Sequence, residues 1–212
     1  MNIEKLHYIS QQPEKGTHLD AIDKVLQAGG KWIQLRIKEQ PESAILEIAI
    51  EAVALCARYQ ATLIINDYPE IAKKAGAHGV HLGLDDMPIP EARALLGEKA
   101  IIGGTANTYA HILQRANEGA DYIGLGPYRF TTTKKNLSPI IGLTGYQTII
   151  NQMLSEKLKI PLIAIGGIEL KDIPLLTSLG LHGVAISAVL TRNAEQLQEI
   201  QETLTIRTDT IC

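Results

Sequence analysis

The chain has 212 residues, of which 45% are apolar and 20% charged, and its formal net charge is −3. That length suits one α/β barrel or one doubly wound domain with a substantial core, and the acidic balance argues against a nucleic-acid-binding surface, which carries a basic excess. No apolar run reaches the length of a membrane span, residues 1–5 lack a signal-peptide pattern, and Cys56 and Cys212 make no disulfide framework, so a cytoplasmic protein is expected.

The first predicted strand, 6–10, ends in Ser10, for which the sequence offers no recognisable base partner; a helix follows over 19–28. The second strand, 32–37, carries the strongest signal. Alternate side chains of a strand share a face, so Trp32, Gln34, Arg36 and Lys38 line one side and Ile33, Leu35 and Ile37 the other. A purely structural strand in a parallel sheet is apolar on both faces. Polar groups aimed together at a strand end, two of them cationic, call for an anion.

A helix over 42–59 leads to strand 62–67, which ends in Asn66-Asp67, and Pro69 precedes a helix over 70–75. Strand 79–83 contains His81 and runs into Asp85-Asp86, with Pro88 and Pro90 at the start of a helix over 89–96. Strand 100–105 ends in Thr105 ahead of a helix over 109–118. Strand 122–127 enters Tyr128-Arg129-Phe130-Thr131-Thr132-Thr133-Lys134-Lys135, followed by a helix over 146–158. Strand 161–167 closes in Gly166-Gly167 before a helix over 170–179, and strand 183–187 closes in Ile186-Ser187 before a helix over 194–203.

Gly29, Gly76, Gly119 and Gly180 recur at equivalent helix-to-strand joints, where a left-handed residue ends a helix cheaply. The recurrence suggests repeated β-α units. Eight units in this length fit a single (β/α)₈ barrel, a TIM barrel, spanning 1–212, with an open doubly wound sheet as the alternative.

In such a barrel the strand C-termini build the active site, and the polar residues above all fall there. Asp67 with Asp86, or with the weaker candidate Asp85, could hold a hard divalent cation. Mg²⁺ takes one or two carboxylates and completes its shell with water and phosphate oxygens. Each aspartate could instead cap a helix, and Lys134-Lys135 could be a solvated pair. Gly166-Gly167, with Ile186-Ser187 after the next strand, forms a second anion signal, because backbone N–H groups can approach a phosphate there. For His81 a packed role is favoured, and His78 and His182 fall on the opposite rim, where residues serve stability. No zinc spacing, nucleophile elbow or dinucleotide fingerprint is present.

Gln34-Leu35-Arg36-Ile37-Lys38, Ile65-Asn66-Asp67, Gly79-Val80-His81-Leu82-Gly83 with Asp86, Gly124-Leu125-Gly126-Pro127 with Thr131-x-Thr133-Lys134, and Ala164-Ile165-Gly166-Gly167-Ile168 resemble, in order, the motifs of thiamine phosphate synthases. The resemblance implies a transferase that joins 4-amino-2-methyl-5-hydroxymethylpyrimidine diphosphate to a thiazole phosphate, with Mg²⁺ as cofactor. It implies that Gln34, Arg36, Lys38, Asn66, Thr105 and Lys134 bind the pyrimidine diphosphate, with Arg36, Lys38 and Lys134 acting on its departure. Asp67 and Asp86 would hold the metal. Thr131, Thr133, Gly167, Ile186 and Ser187 would bind the thiazole phosphate, with Thr132 and Gly166 also in the substrate site.

The partners implied are two small molecules, with a homo-oligomer left open. A thiazole tautomerase of the same family and a non-catalytic phosphate-binding barrel are the rival readings; the retained charged set argues against both. Departures from the family pattern are Ile37, Tyr68, Thr105, Asn107 and Tyr128-Arg129-Phe130, with Ile37 expected to face the helices.

Overall fold

The computed structural model describes residues 3–130 and 139–205. Its elements are β1 (Leu6–Ile9), α1 (His18–Gln27), β2 (Trp32–Leu35), α2 (Glu42–Arg58), β3 (Thr62–Asn66), α3 (Pro69–Ala75), β4 (Gly79–Leu82), α4 (Ile89–Leu96) and β5 (Ile101–Ala106). Next come α5 (Tyr109–Asn117), β6 (Tyr122–Leu125), α6 (Gly142–Ser155), β7 (Leu162–Ala164), a 3₁₀ turn (Leu170–Asp172), α7 (Ile173–Ser178), β8 (Gly183–Ile186), α8 (Ala188–Arg192) and α9 (Gln196–Thr205). Each strand pairs in parallel with the next, and β1 pairs with β8 through Leu6↔Val184, His7↔Ala185 and Tyr8↔Ile186. That pairing closes a barrel and excludes the open sheet.

The two-residue period of the strands sorts the side chains. Ile33, Leu35, Leu63, Ile65, Val80, Ile123 and Val184 face outward and pack with Ile22, Val25, Ala49, Ala52 and Ile112 of the surrounding helices. Ile37 joins this outer layer, as its alternation predicts. The inward set begins with Ile9, Trp32, Ile64, Ile101, Tyr122, Ile163 and Ala185. One step further along β2, β3 and β4 the inward residues become Gln34, Asn66 and His81, all buried. The interior thus turns from apolar to polar toward one end.

Four helix-ending glycines, Gly29, Gly76, Gly119 and Gly180, all have positive φ, between 74° and 100°. Elsewhere the chain departs from expectation for local reasons. β2 ends at Leu35 because the next amide, Arg36 N–H, donates to the Ser10 side chain at 3.1 Å instead of a backbone carbonyl. β7 ends at Ala164 because Gly166 and Gly167 turn to φ 93° and 68°. α6 starts four residues earlier than the expected 146. α8 has no counterpart in the predicted elements; five residues are too few to show a helical period.

Candidate active site

At the C-terminal end of the barrel a cavity of about 310 Å³ is lined by Gln34, Arg36, Lys38, Asn66, Asp67, Thr105, Gly166, Gly167, Ile186 and Ser187. These residues come from the ends of five strands, β2, β3, β5, β7 and β8, and the closed barrel is what brings them together. Thr131, Thr132, Thr133 and Lys134 lie outside the described residues.

β2 and the residues after it supply the cationic wall. Gln34 points inward and is buried. Ser10, fully buried at the end of β1, accepts the Arg36 N–H and pairs with His18 Nδ1 at 3.0 Å. The expectation that Ser10 lacks a base partner is therefore corrected: the partner is eight residues on, at the start of α1. Ser10 does not reach the cavity, and the pair ties β1, β2 and α1 together behind Arg36. Burial lowers the pKa of Arg36, the Asp67 charge opposes that shift, and burial with the nearby Arg36 charge lowers that of His18. Both effects on His18 disfavour a second positive charge beside the Arg36 guanidinium.

β3 and β4 supply the acidic wall. Asp67 adopts φ 69°, a left-handed conformation that Asp tolerates better than most residues, and its N–H donates to the His81 carbonyl at 2.9 Å. Its carboxylate is ion-paired with Lys38. Asp86 lies behind it, accepts the Gly83 N–H at 2.6 Å, and does not itself line the cavity. Burial raises the Asp86 pKa, followed by its hydrogen bond to Asp67; the Gly83 bond opposes the rise. Asp85 is exposed and stands apart. Neither Asp67 nor Asp86 caps a helix, since the N-cap residues of α3 and α4 are Tyr68 and Pro88, without side-chain cap bonds.

Two carboxylates in contact, one with its charged form disfavoured, form a set that a cation stabilises. Among the described residues no group of three or more metal-ligating His, Cys, Asp or Glu exists. The pair matches the one or two carboxylates that Mg²⁺ takes when phosphate and water complete its shell. Beside it, Asn66 Nδ2 is buried and has no hydrogen-bond partner among the described residues. A buried orphan donor is costly, and this one belongs to a residue lining the cavity, where a ligand's acceptor can meet it.

His81 is both packed and at the cavity wall, so the packed reading is half of its role. Its Nδ1 meets Tyr122 Oη at 3.1 Å and its Nε2 meets Thr105 Oγ1 at 3.0 Å. Tyr122 is buried and its hydroxyl has no other partner among the described residues. The proton order that satisfies every buried donor runs from Tyr122 O–H to Nδ1, then from Nε2–H to Thr105 Oγ1. Thr105 is left with its own O–H to donate into the cavity. Glycine makes the arrangement fit: a Cβ on Gly103 would overlap the Tyr122 ring, and one on Gly124 would come within 3.0 Å of His81 Cε1.

On the opposite wall, Gly166 and Gly167 hold positive φ beside Ile168. Ser187 Oγ donates to Gln11 Oε1 at 3.1 Å, which fixes the residue between β8 and α8. Asn107 donates from Nδ2 to the Gly126 carbonyl, at the cis Gly126–Pro127 bond. Arg129 and Arg192 also line the cavity and were not among the expected site residues. Arg129 follows β6 without a local pattern to mark it, and Arg192 ends the helix that the sequence period missed.

Fold and cavity together define a (β/α)₈-barrel protein with a cavity at its C-terminal mouth lined by the cationic side chains of Arg36, Lys38, Arg129 and Arg192. The sequence model of the family described as thiamine monophosphate synthase matches residues 6–190. The chain is 45% identical over 202 residues to the thiamine-phosphate synthase of Bacteroides thetaiotaomicron, covering 95% of this chain and 97% of the relative. It is 48% identical over 198 residues to that of Flavobacterium psychrophilum, covering 93% and 96%. The solved thiamine phosphate pyrophosphorylase from Pyrococcus furiosus superposes with a TM-score of 0.78 at 30% identity, covering 95% of this chain and 96% of that one. The chain belongs to the thiamine monophosphate synthase family.

Proposed function

We propose that the protein is a cytoplasmic thiamine phosphate synthase, one barrel domain over 1–212. It transfers the aminopyrimidinylmethyl group of 4-amino-2-methyl-5-hydroxymethylpyrimidine diphosphate to the nitrogen of 4-methyl-5-(2-phosphooxyethyl)thiazole or its carboxylate, giving thiamine phosphate and diphosphate. The observation that carries the site reading is the convergence of Arg36, Lys38, Asp67 and the Asn66 donor, which has no partner among the described residues, at one end of one cavity, with Asp86 behind Asp67.

Asp67 and Asp86 would hold Mg²⁺, which when bound supplies positive charge to the departing diphosphate. The chain's own residues do the rest. Arg36 and Lys38 hold the diphosphate and, with Lys134, stabilise its growing negative charge as the carbon–oxygen bond breaks. Gln34, Asn66 and Thr105 orient the pyrimidine, whose amino group feeds electron density to the carbon left behind. Thr131, Thr132, Thr133, Gly166, Gly167, Ile186 and Ser187 place the thiazole phosphate so that its nitrogen attacks that carbon. Such a reaction needs positioned charge more than a general base.

The test is purified protein with Mg²⁺ and both substrates. Thiamine phosphate and diphosphate should form in equal amounts. Thiazole isomerisation without thiamine phosphate, at high protein concentration, would contradict the proposal.

A further inference from the structure

Where the loop after β6 meets the loop after β7, an ion pair bridges two segments that the sequence separates by more than forty residues. Arg129 grips the buried Asp172 through both ends of its guanidinium, Nη1 to Oδ2 at 2.7 Å and Nη2 to Oδ1 at 2.6 Å. The same Nη1 donates to the Gly167 carbonyl at 3.1 Å. Below it, Tyr128 N–H and Arg129 N–H donate to the carbonyls of Ile165 and Gly166 at 2.9 and 3.0 Å, which extends the β6–β7 pairing past the strands.

We propose that Arg129 is a positioning residue for the Gly166–Gly167 turn, holding that backbone in the shape that receives the phosphate of the thiazole substrate. The proposal rests on the phosphate reading of the turn given above. Three features support a geometric role over a direct charge on the ligand. First, Asp172 and Glu169, at 2.6 and 3.3 Å, already neutralise the guanidinium, so it offers little net charge to a phosphate. Second, a trans peptide points its N–H opposite to its carbonyl, so pinning the Gly167 carbonyl fixes the direction of the Ile168 N–H, on a residue that lines the cavity. Third, a Cβ on Gly167 would overlap Arg129 Cγ. The stem of Arg129 and the bare backbone of Gly167 occupy complementary space.

Asp172 is built to hold its side of the bridge. Its Oδ2 also accepts the Glu169 N–H at 2.8 Å, which locks the carboxylate to the start of the 3₁₀ turn. The Arg129 guanidinium further lies 5.0 Å from the centroid of the Tyr128 ring. A lysine could supply the charge but not the planar fork that serves the carboxylate and the carbonyl together.

The experiment compares wild type with Arg129→Ala, Arg129→Lys, Asp172→Asn and the double variant Arg129→Ala/Asp172→Asn. It measures KM for each substrate, thiazole phosphate binding by calorimetry, and thermal melting. Arg129→Ala and Asp172→Asn should each raise KM and Kd for the thiazole phosphate about tenfold, with the pyrimidine diphosphate KM within about twofold. The double variant should be no worse than the worse single one, because the two act as a unit, and Arg129→Lys should recover little. An unchanged thiazole phosphate affinity in Arg129→Ala overturns the proposal, as does an equal rise in both KM values. Wild-type protein that does not bind the thiazole phosphate would instead overturn the phosphate reading of the turn, and this proposal with it.

Discussion

The two ends of this barrel are both polar, and they use their polar groups in opposite ways. At the N-terminal end His182 Nε2 bonds the Ile3 carbonyl at 2.6 Å, His78 Nδ1 accepts the Leu63 N–H at 3.1 Å, and Lys5 and Lys31 reach the carbonyls of Leu204 and Tyr59. Arg93 bridges Asp121 and the Ala100 carbonyl, while Asp121 also accepts the Ile102 N–H. Each group is spent on the chain itself. At the C-terminal end Asn66 has a donor unmet among the described residues, Thr105 is left with a hydroxyl proton to give, and two carboxylates sit in contact. Polar side chains that close on the backbone hold a fold together; polar side chains that converge on a cavity and stay incompletely matched leave work for a ligand.

Substitutions can break that contrast. The largest effect is expected for Lys38→Ala, which removes the cation paired with Asp67: kcat should fall about 10²- to 10³-fold, with the melting temperature nearly unchanged, as steady-state kinetics and calorimetry would show. A smaller effect is expected for Tyr122→Phe. Losing the phenol lets His81 reverse its proton order toward Thr105, so KM for the pyrimidine diphosphate should rise about fivefold, as one hydrogen bond is worth, with kcat within about twofold. At the other end, His182→Ala should leave both kinetic constants alone and cost about 1 kcal/mol of stability, a drop of roughly 2–4 °C in Tm. Loss of activity in that variant, with the fold intact, would erase the distinction between the two ends.

Much of this was legible in the sequence, for definable reasons. The eight strands follow from short apolar runs and glycine joints, and the inward face of β2 follows from strict alternation through Trp32, Gln34, Arg36 and Lys38. Asn66, Asp67 and Thr105 could be placed at the cavity because a barrel rule assigns strand ends to one rim. What stayed hidden depends on contacts between distant segments. Ser10 with His18 closes a loop rather than a period, and Arg129 with Asp172 spans two β-α units. The dual character of His81 could not be read either, since a packed and a cavity-lining histidine on a strand carry the same local signature.

The proposed function makes the C-terminal rim, through the Asp67–Asp86 pair, a Mg²⁺-dependent site for losing diphosphate. Its most direct measurement is diphosphate release against Mg²⁺ concentration for wild type, Asp67→Asn and Asp86→Asn. The account predicts saturable Mg²⁺ dependence in wild type, with rates at least about 100-fold lower and a weakened Mg²⁺ response in each variant. Wild-type rates and an unaltered Mg²⁺ dependence in both variants would contradict it.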